Sequence, residues 1–408
     1  MTAARLRRWL PPGIGVAALI AYPLVLPLFL SANPARFWTL SIGAQSLILG
    51  IAALSMIFMA DHGGMVSLAQ AALAGFAGYV VALAVLTPST NAVGSTIGLG
   101  LPAIPGALIA LALATLLGAI FGAISSRSSG IYFLMLTLAL AVGFFYIVLQ
   151  NYDIFGGHIG FAGIVGPTGA PRQNPALFYY LCLAAAALMY LGLRYLARSQ
   201  LGLTFRGMRD NPRRMRALGY RVSLHRIALF AIGGFVAGVS GILGVWYRGN
   251  ISPGTVDLNR TIDVLIIAVV GGLGYPIGAF VGAVFFVIID LFASSVVLFG
   301  FSFDERFNTL IGLGFVIVVL VAPNGLVGLA DTTWKKITRR TPRAGAAASA
   351  PAAAPSGEPP SEPVSPSRAA AVATALVEPV PATITRLDGD PTSAREAEQE
   401  EPRGNHGI

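Results

Sequence analysis

Long apolar runs follow one another along most of the chain. They fall near residues 13–31, 39–59, 65–86, 102–124, 131–150, 176–196, 226–247, 262–275, 277–298 and 307–323. Crossing a hydrocarbon core takes about 20 apolar residues in a helix, and most of the runs meet that length. The run 262–275 is short. At about 1.5 Å per residue it reaches roughly 21 Å, and Gly271, Gly272 and Gly274 predict a half-helix that turns back there. The pattern predicts an all-α, polytopic membrane helix bundle of about ten transmembrane helices, with eight as the other even count.

Composition supports this and removes alternatives. Of 408 residues, 55% are apolar and 11% charged, whereas a soluble domain carries about 25% charge. An ordinary soluble enzyme is excluded. The single cysteine, Cys182, lies inside an apolar run, so neither a disulfide framework nor a Cys-based zinc site is available. His62, His158, His225 and His406 are far apart and form no metal motif. The net charge of +9 is unevenly spread: residues 1–340 hold 22 Lys/Arg against 9 Asp/Glu, residues 341–408 hold 5 against 9. The surplus sits at the ends of apolar runs, which is a topology signal rather than a nucleic-acid one.

Positive charge marks the cytoplasmic side. Arg5, Arg7 and Arg8 precede the first run. Arg198, Arg206, Arg209, Arg213, Arg214, Arg216, Arg221 and Arg226 fill the loop after the sixth. Lys335, Lys336, Arg339, Arg340 and Arg343 follow the last. Ten spans place all three clusters, and Arg127, on one side, with both termini cytoplasmic. Arg36, Arg172, Arg248 and Arg260 fall outside, each nearly alone. The first run has the basic start of a signal peptide, but Ser31-Ala32-Asn33 is a poor cleavage site, so a retained helix is expected. The organisation is then a basic segment with the first helix (1–38), a helical membrane domain (39–330) with a cytoplasmic loop at 197–225, and a tail (331–408). That tail starts basic and turns Ala/Pro/Ser/Glu-rich from 341. It lacks the apolar residues to offset ordering entropy, so it is expected to be disordered.

The spans carry little chemistry. Gly118 and Gly122, Gly234 and Gly238, and Gly278 and Gly282 are small-xxx-small pairs that let helix backbones approach closely. Asp263, beside Thr261, is expected to cap the start of its helix. Asp290 lies deeper and is the candidate buried carboxylate. No chain of Asp, Glu and His runs at mid-depth, which counts against proton coupling. No G-x-x-x-x-G-K-[ST] run exists, and the only lysines are Lys335 and Lys336. Energy for uphill movement therefore has to come from another subunit. The loop 197–225 is too long for a turn. Asp210 or Asn211 can cap a short helix there, Pro212 suits its first turn, and Met208, Met215 and Leu218 can form its apolar face among arginines.

Several segments, in order, resemble a known family. "SQLGLTFRGMRDNPRRMRALGY" (199–220) is similar to the cytoplasmic loop of ABC-importer permeases of the LivM branch, which take up branched-chain amino acids; Pro212, Met215 and Tyr220 depart from that pattern. "GGMVSLAQAALAGFAGYVVAL" (63–83), "RSSGIYFLMLTLALA" (127–141), "FGGHIGFAGI" (155–164), "VVGGLGYPIGAFVGA" (269–283) and "VAPNGLVGL" (321–329) resemble further segments of the same family. The likeness spans about residues 40–330.

The resemblance implies a transport subunit that is not itself an enzyme, with no cofactor in this chain and ATP and magnesium bound by partners. Those partners would be a second, LivH-like permease, two ABC ATPases and a periplasmic or extracellular solute-binding protein, in a bacterial inner membrane. It implies a coupling role toward an ATPase for Gly202, Arg206, Arg209, Asp210, Asn211, Ala217 and Gly219. For the translocation pathway of a small neutral solute the residues nominated are Ser67 and Gln70, placed on one helix face by their spacing, with Tyr132, Thr137, Gly156 and Gly157. The sequence leaves two alternatives: a related permease for urea or short amides, and a self-contained secondary transporter or channel.

Overall fold

The computed structural model describes residues 38–87, 98–171 and 173–295, with residues 22, 297–298, 301–302, 312 and 325–329 in addition. The chain divides into units Met1–Thr341 and Pro342–Ile408, and everything described belongs to the first. Most of the expected first span, most of the expected last span, the basic segment after it, Arg172 and the tail lie outside the described residues.

The remaining eight apolar runs all fall on helices. They are α1 (Trp38–Gly63), α2 (Gln70–Val85), α3 (Ala103–Ser125), α4 (Ile131–Gln150), α5 (Pro175–Arg198), α8 (Val222–Arg248), α9 (Leu258–Gly271) and α10 (Gly278–Ser295). Between α5 and α8 the loop forms α6 (Gln200–Asp210) and α7 (Pro212–Ala217). Two-residue strands β1 (Phe161–Ala162) and β2 (Asn250–Ile251) pair antiparallel, Phe161 opposite Ile251. Among the described residues five helices, α1, α3, α4, α5 and α8, are long and apolar enough to cross a membrane; α2 and α10 are shorter apolar helices. The protein is a multi-pass membrane helix bundle.

Burial separates helices that hydropathy does not. The most apolar window of α1 is 89% buried, against 28% in α3 and α4, 33% in α5 and 56% in α8. α1 is thus the central post. On α3 the buried positions include Gly106, Ala110, Ala114, Gly118 and Gly122, a stripe of small residues at four-residue spacing, with Phe121 and Ser125 buried beside it. Its exposed positions are large aliphatics such as Leu108, Leu116, Ile120 and Ile124. In lipid, apolar side chains gain nothing by leaving the solvent, so the small residues turn inward, where they permit close packing. α3 crosses α8 there. A Cβ on Gly118 would stand 2.7 Å from the Phe230 carbonyl oxygen and 3.1 Å from Gly234 Cα. Gly118 and Gly234 therefore face one another, while Gly122 packs on Phe230 and Ile227 and Gly238 on Ala114.

The ends of the bundle are tied differently. At the end bearing the arginine-rich loop, Arg226 of α8 donates to the carbonyls of Ser126 and Ser128, at 2.8 and 3.0 Å, and clamps the α3–α4 turn. At the far end β1 and β2 join, and Ile164 N–H donates to the Gly249 carbonyl at 3.0 Å. Charge-assisted hydrogen bonds contribute about 1.5–3 kcal/mol each. Arg226→Ala is therefore expected to lower the detergent melting midpoint by several degrees, while Arg213→Ala, at an exposed site, leaves it in place. Equal midpoints for the two variants would show that the clamp carries no net stability.

Two sequence expectations need correction. The third run was expected as helix from residue 65, but α2 starts at Gln70. Residues 64–69 are irregular because their backbone groups find partners outside a helix: Leu68 N–H donates to Thr137 Oγ1 at 3.3 Å, and Ala69 N–H to Ser67 Oγ at 3.3 Å. Ser67 and Gln70 therefore do not share a helix face. In the eighth run α9 begins at Leu258, and its N-cap is Asp257, which accepts from Leu258 N–H at 2.6 Å. Asp263 is not the cap. It lies past the first turn and pairs with Arg260 at 3.3 Å. The turn after α9 comes at Gly272, φ 108°, as the glycines predict.

Candidate functional site

The arginine-rich loop sequence folds into two short helices because it is punctuated for them. Pro212 opens α7, and Asn211 caps it by accepting from Arg214 N–H at 2.9 Å. Of the two caps expected, Asn211 serves. α6 is amphipathic, and its inner face buries Gly202, Phe205 and Met208. Gly202 sits where the carbonyls of Leu196 and Ala197 would stand 2.5 Å from a Cβ, so α6 can fold back sharply on the end of α5. Met215 packs toward Gly207, but Leu218 is 64% exposed and does not join the apolar face.

α6 docks on the end of α1. Arg206 Nη2 lies 3.2 Å from Nε2 of His62, whose ring stacks on Phe58 at 4.6 Å between centroids. Arg209 donates to the Asp61 main-chain carbonyl, approaches the Asp61 carboxylate at 3.7 Å and pairs with Asp210 at 3.0 Å. Its aliphatic stem covers Gly64, which ends α1 in the left-handed region at φ 65°. Rigid contact thus runs from the loop into the most buried helix of the bundle.

The seven nominated coupling residues divide into three groups. Gly202, Arg206 and Arg209 face the bundle. Asp210 and Asn211 hold the loop's own conformation. Ala217 and Gly219 lie on the outer surface with Arg213, Arg214, Arg216, Leu218 and Tyr220. Asp61, His62 and Phe205 were missed. Asp61 and His62 had a signal: two adjacent polar residues closing an otherwise apolar run before a glycine pair.

The nominated pathway residues do not form one set. Ser67, Gln70 and Thr137 gather where α1 gives way to α2, all at most 1% exposed. Their polar groups are engaged within the protein. Ser55 Oγ donates to Gln70 Oε1 at 3.1 Å, Gln70 Nε2 stands 2.8 Å from Met59 Sδ, and Thr137 Oγ1 donates to the Leu134 carbonyl at 3.0 Å. Tyr132 is 74% exposed on the outside of α4. Gly156 and Gly157, with φ 73° and 55°, make a turn at the far end that sets Phe155 and Phe161 against Tyr79. Among the described residues no group of His, Cys, Asp and Glu is arranged to hold a metal.

Comparison with known proteins agrees with this architecture. Residues 39–321 match the model of a family described as branched-chain amino acid transport system, permease component. The chain is 26% identical over 235 residues to the probable branched-chain amino acid transport permease protein LivM of Methanocaldococcus jannaschii, covering 54% of this chain and 68% of that one. It is 24% identical over 172 residues to the high-affinity branched-chain amino acid transport system permease protein LivM of Escherichia coli, covering 42% and 39%. It is 29% identical over 157 residues to the probable branched-chain amino acid transport permease protein LivH of M. jannaschii, covering 37% and 48%.

Proposed function

The chain belongs to the branched-chain amino acid transport system permease family, and from that premise we propose that it is the LivM-type membrane subunit of an ABC importer for hydrophobic amino acids. In this reading it pairs with a LivH-like permease, two ATPases drive it, and a solute-binding protein delivers the solute. ATP and magnesium bind only to the ATPases. The arginine-rich end faces the cytoplasm of a bacterial inner membrane, as do both termini, and ten spans cross it.

The observation that carries this reading is the α6–α7 unit. Its inner face is docked on α1, and its outer face offers Leu218 and Tyr220 among arginines, with Leu218 64% and Tyr220 44% exposed. A channel or secondary transporter has no evident use for such a unit. An ATPase groove does, because closure of the ATPases would push α6 against Asp61 and His62 and so move α1 relative to its neighbours, a rigid-body transition biased by ligand.

The test is uptake of labelled leucine, with urea in parallel, in cells with the gene intact, deleted and restored. Leucine uptake is expected to fall to background on deletion and to return with the intact gene. Loss of urea uptake alone would move the solute to the short amides. Leucine uptake that needs this gene but persists when the ATPases are inactivated would return the secondary-transporter reading.

A further inference from the structure

A cleft of about 80 Å³ opens toward the far end of the bundle, between α1, α2, α8 and α9. Small residues line much of it: Ala71, Gly75 and Gly78 on α2, and Gly241 and Gly244 on α8. Apolar groups such as Ile48 and Val264 complete the lining, and three charged side chains border it: Arg248, Arg260 and Asp263. Arg260 and Asp263 are paired at 3.3 Å, whereas Arg248 has no carboxylate partner among the described residues. Asp290 of α10 lies near enough to act electrostatically on Asp263 and Arg260.

The simplest account of Arg248 is an interfacial anchor. It is the last residue of α8, where a cation complements the helix dipole and can reach toward headgroups. That account covers neither the cleft nor the shared border. Ionised side chains at the membrane tend to face a water-filled cavity and to mark a solute route. Here both signs of charge border one cavity whose remaining walls are small and apolar. Charges of both signs, side by side above an apolar lining, match the two ends of a zwitterion whose side chain is a hydrocarbon. Urea and short amides carry no formal charge and would have no use for them.

We propose that this cleft is a transit site for the zwitterionic head of a hydrophobic amino acid, with Arg248 receiving the carboxylate and Asp263, released from Arg260, receiving the ammonium. The proposal rests on the transport function above and assigns named residues to the two charged ends of its solute. At about 80 Å³ the cleft has room for several water molecules, since one needs about 10–15 Å³ of such space. In this conformation it holds the head group, and the side chain enters when α8 and α9 part.

The experiment uses the complete transporter in proteoliposomes, with its binding protein, and measures leucine uptake and binding-protein-stimulated ATP hydrolysis together. Arg248→Gln and Asp263→Asn are expected to slow uptake at saturating leucine by about tenfold or more, the scale of one lost charge-assisted contact. ATP hydrolysis is expected to stay near wild type. Arg248→Lys, which keeps the charge, is expected to restore most of the uptake. Wild-type uptake in both neutral variants overturns the proposal. So does a parallel loss of uptake and ATP hydrolysis in both, which would mark a structural role. A wild-type transporter that takes up no leucine refutes the transport function itself, before any variant is compared.

Discussion

Phe205→Ala is expected to abolish solute uptake while the protein still accumulates in the membrane. Phe205 is fully buried beneath α6, with Met208 beside it and the His225 ring 6.4 Å away, edge-on. α6 has 11 residues, and an isolated helix of fewer than about 12–15 residues is marginal in water. Its position therefore depends on side chains that anchor it. Removing a buried phenylalanine ring costs about 3–5 kcal/mol, enough to release α6 from the end of α1. The polar contacts cannot substitute. Arg209 is 37% exposed, and exposed ion pairs contribute about 0–1 kcal/mol. Arg209→Ala is accordingly expected to weaken uptake only in part. Asp210 is 67% exposed and pairs with its own neighbour, so an uptake defect in Asp210→Ala with a normally docked α6 would point to contact with an ATPase. Uptake is measured beside immunoblots of the membrane fraction and of a cysteine cross-link between α6 and α1. Wild-type uptake by Phe205→Ala would show that docking of α6 is dispensable.

Gly118→Leu or Gly234→Leu is expected to remove the protein from the membrane altogether. A Cβ on Gly234 would stand 2.7 Å from the Ala114 carbonyl oxygen and 3.1 Å from Gly118 Cα. Both are backbone atoms and cannot swing aside, so α3 and α8 would have to separate along their whole contact. Overpacking a rigid core costs about 1–3 kcal/mol or more, and here it also forfeits the close packing that takes the place of hydrophobic attraction in lipid. Gly143 on α4 and Gly192 on α5 are the controls. Nothing lies within 4 Å of a Cβ at either, so leucine there should leave accumulation unchanged. If Gly118→Leu accumulates like Gly143→Leu, the α3–α8 crossing does not hold the bundle together.

Much of this was legible in the sequence. The approximate positions of the described helices follow from apolar length, because a chain in lipid must satisfy its backbone internally and only helices do so within one segment. The glycine pairs marked the crossing faces of α3 and α8, and Pro212 with Asn211 marked α7. The irregular segment 64–69 was not legible. Its residues are as apolar or small as those of a helix, and what ends the helix is a set of backbone hydrogen bonds to Ser67 and to Thr137, a residue far off in sequence. The cap of α9 was misassigned for a similar reason: Asp257 and Asp263 both lie near a helix start, and only the backbone shows which one meets the free N–H.

By itself the sequence determined that this is a membrane bundle, roughly where its described helices run, which loop is arginine-rich and which family it resembles. The tertiary structure decided which helix is central, that Asp61 and His62 receive the loop, and that Arg248, Arg260 and Asp263 border one cleft. Hydropathy could not rank the helices: the central α1 has mean hydropathy 2.0 and the peripheral α3 has 2.5. In lipid an apolar side chain is equally at home on either face, so hydropathy fixes depth in the membrane, while contact between helices is set by shape and by polar groups distant in sequence.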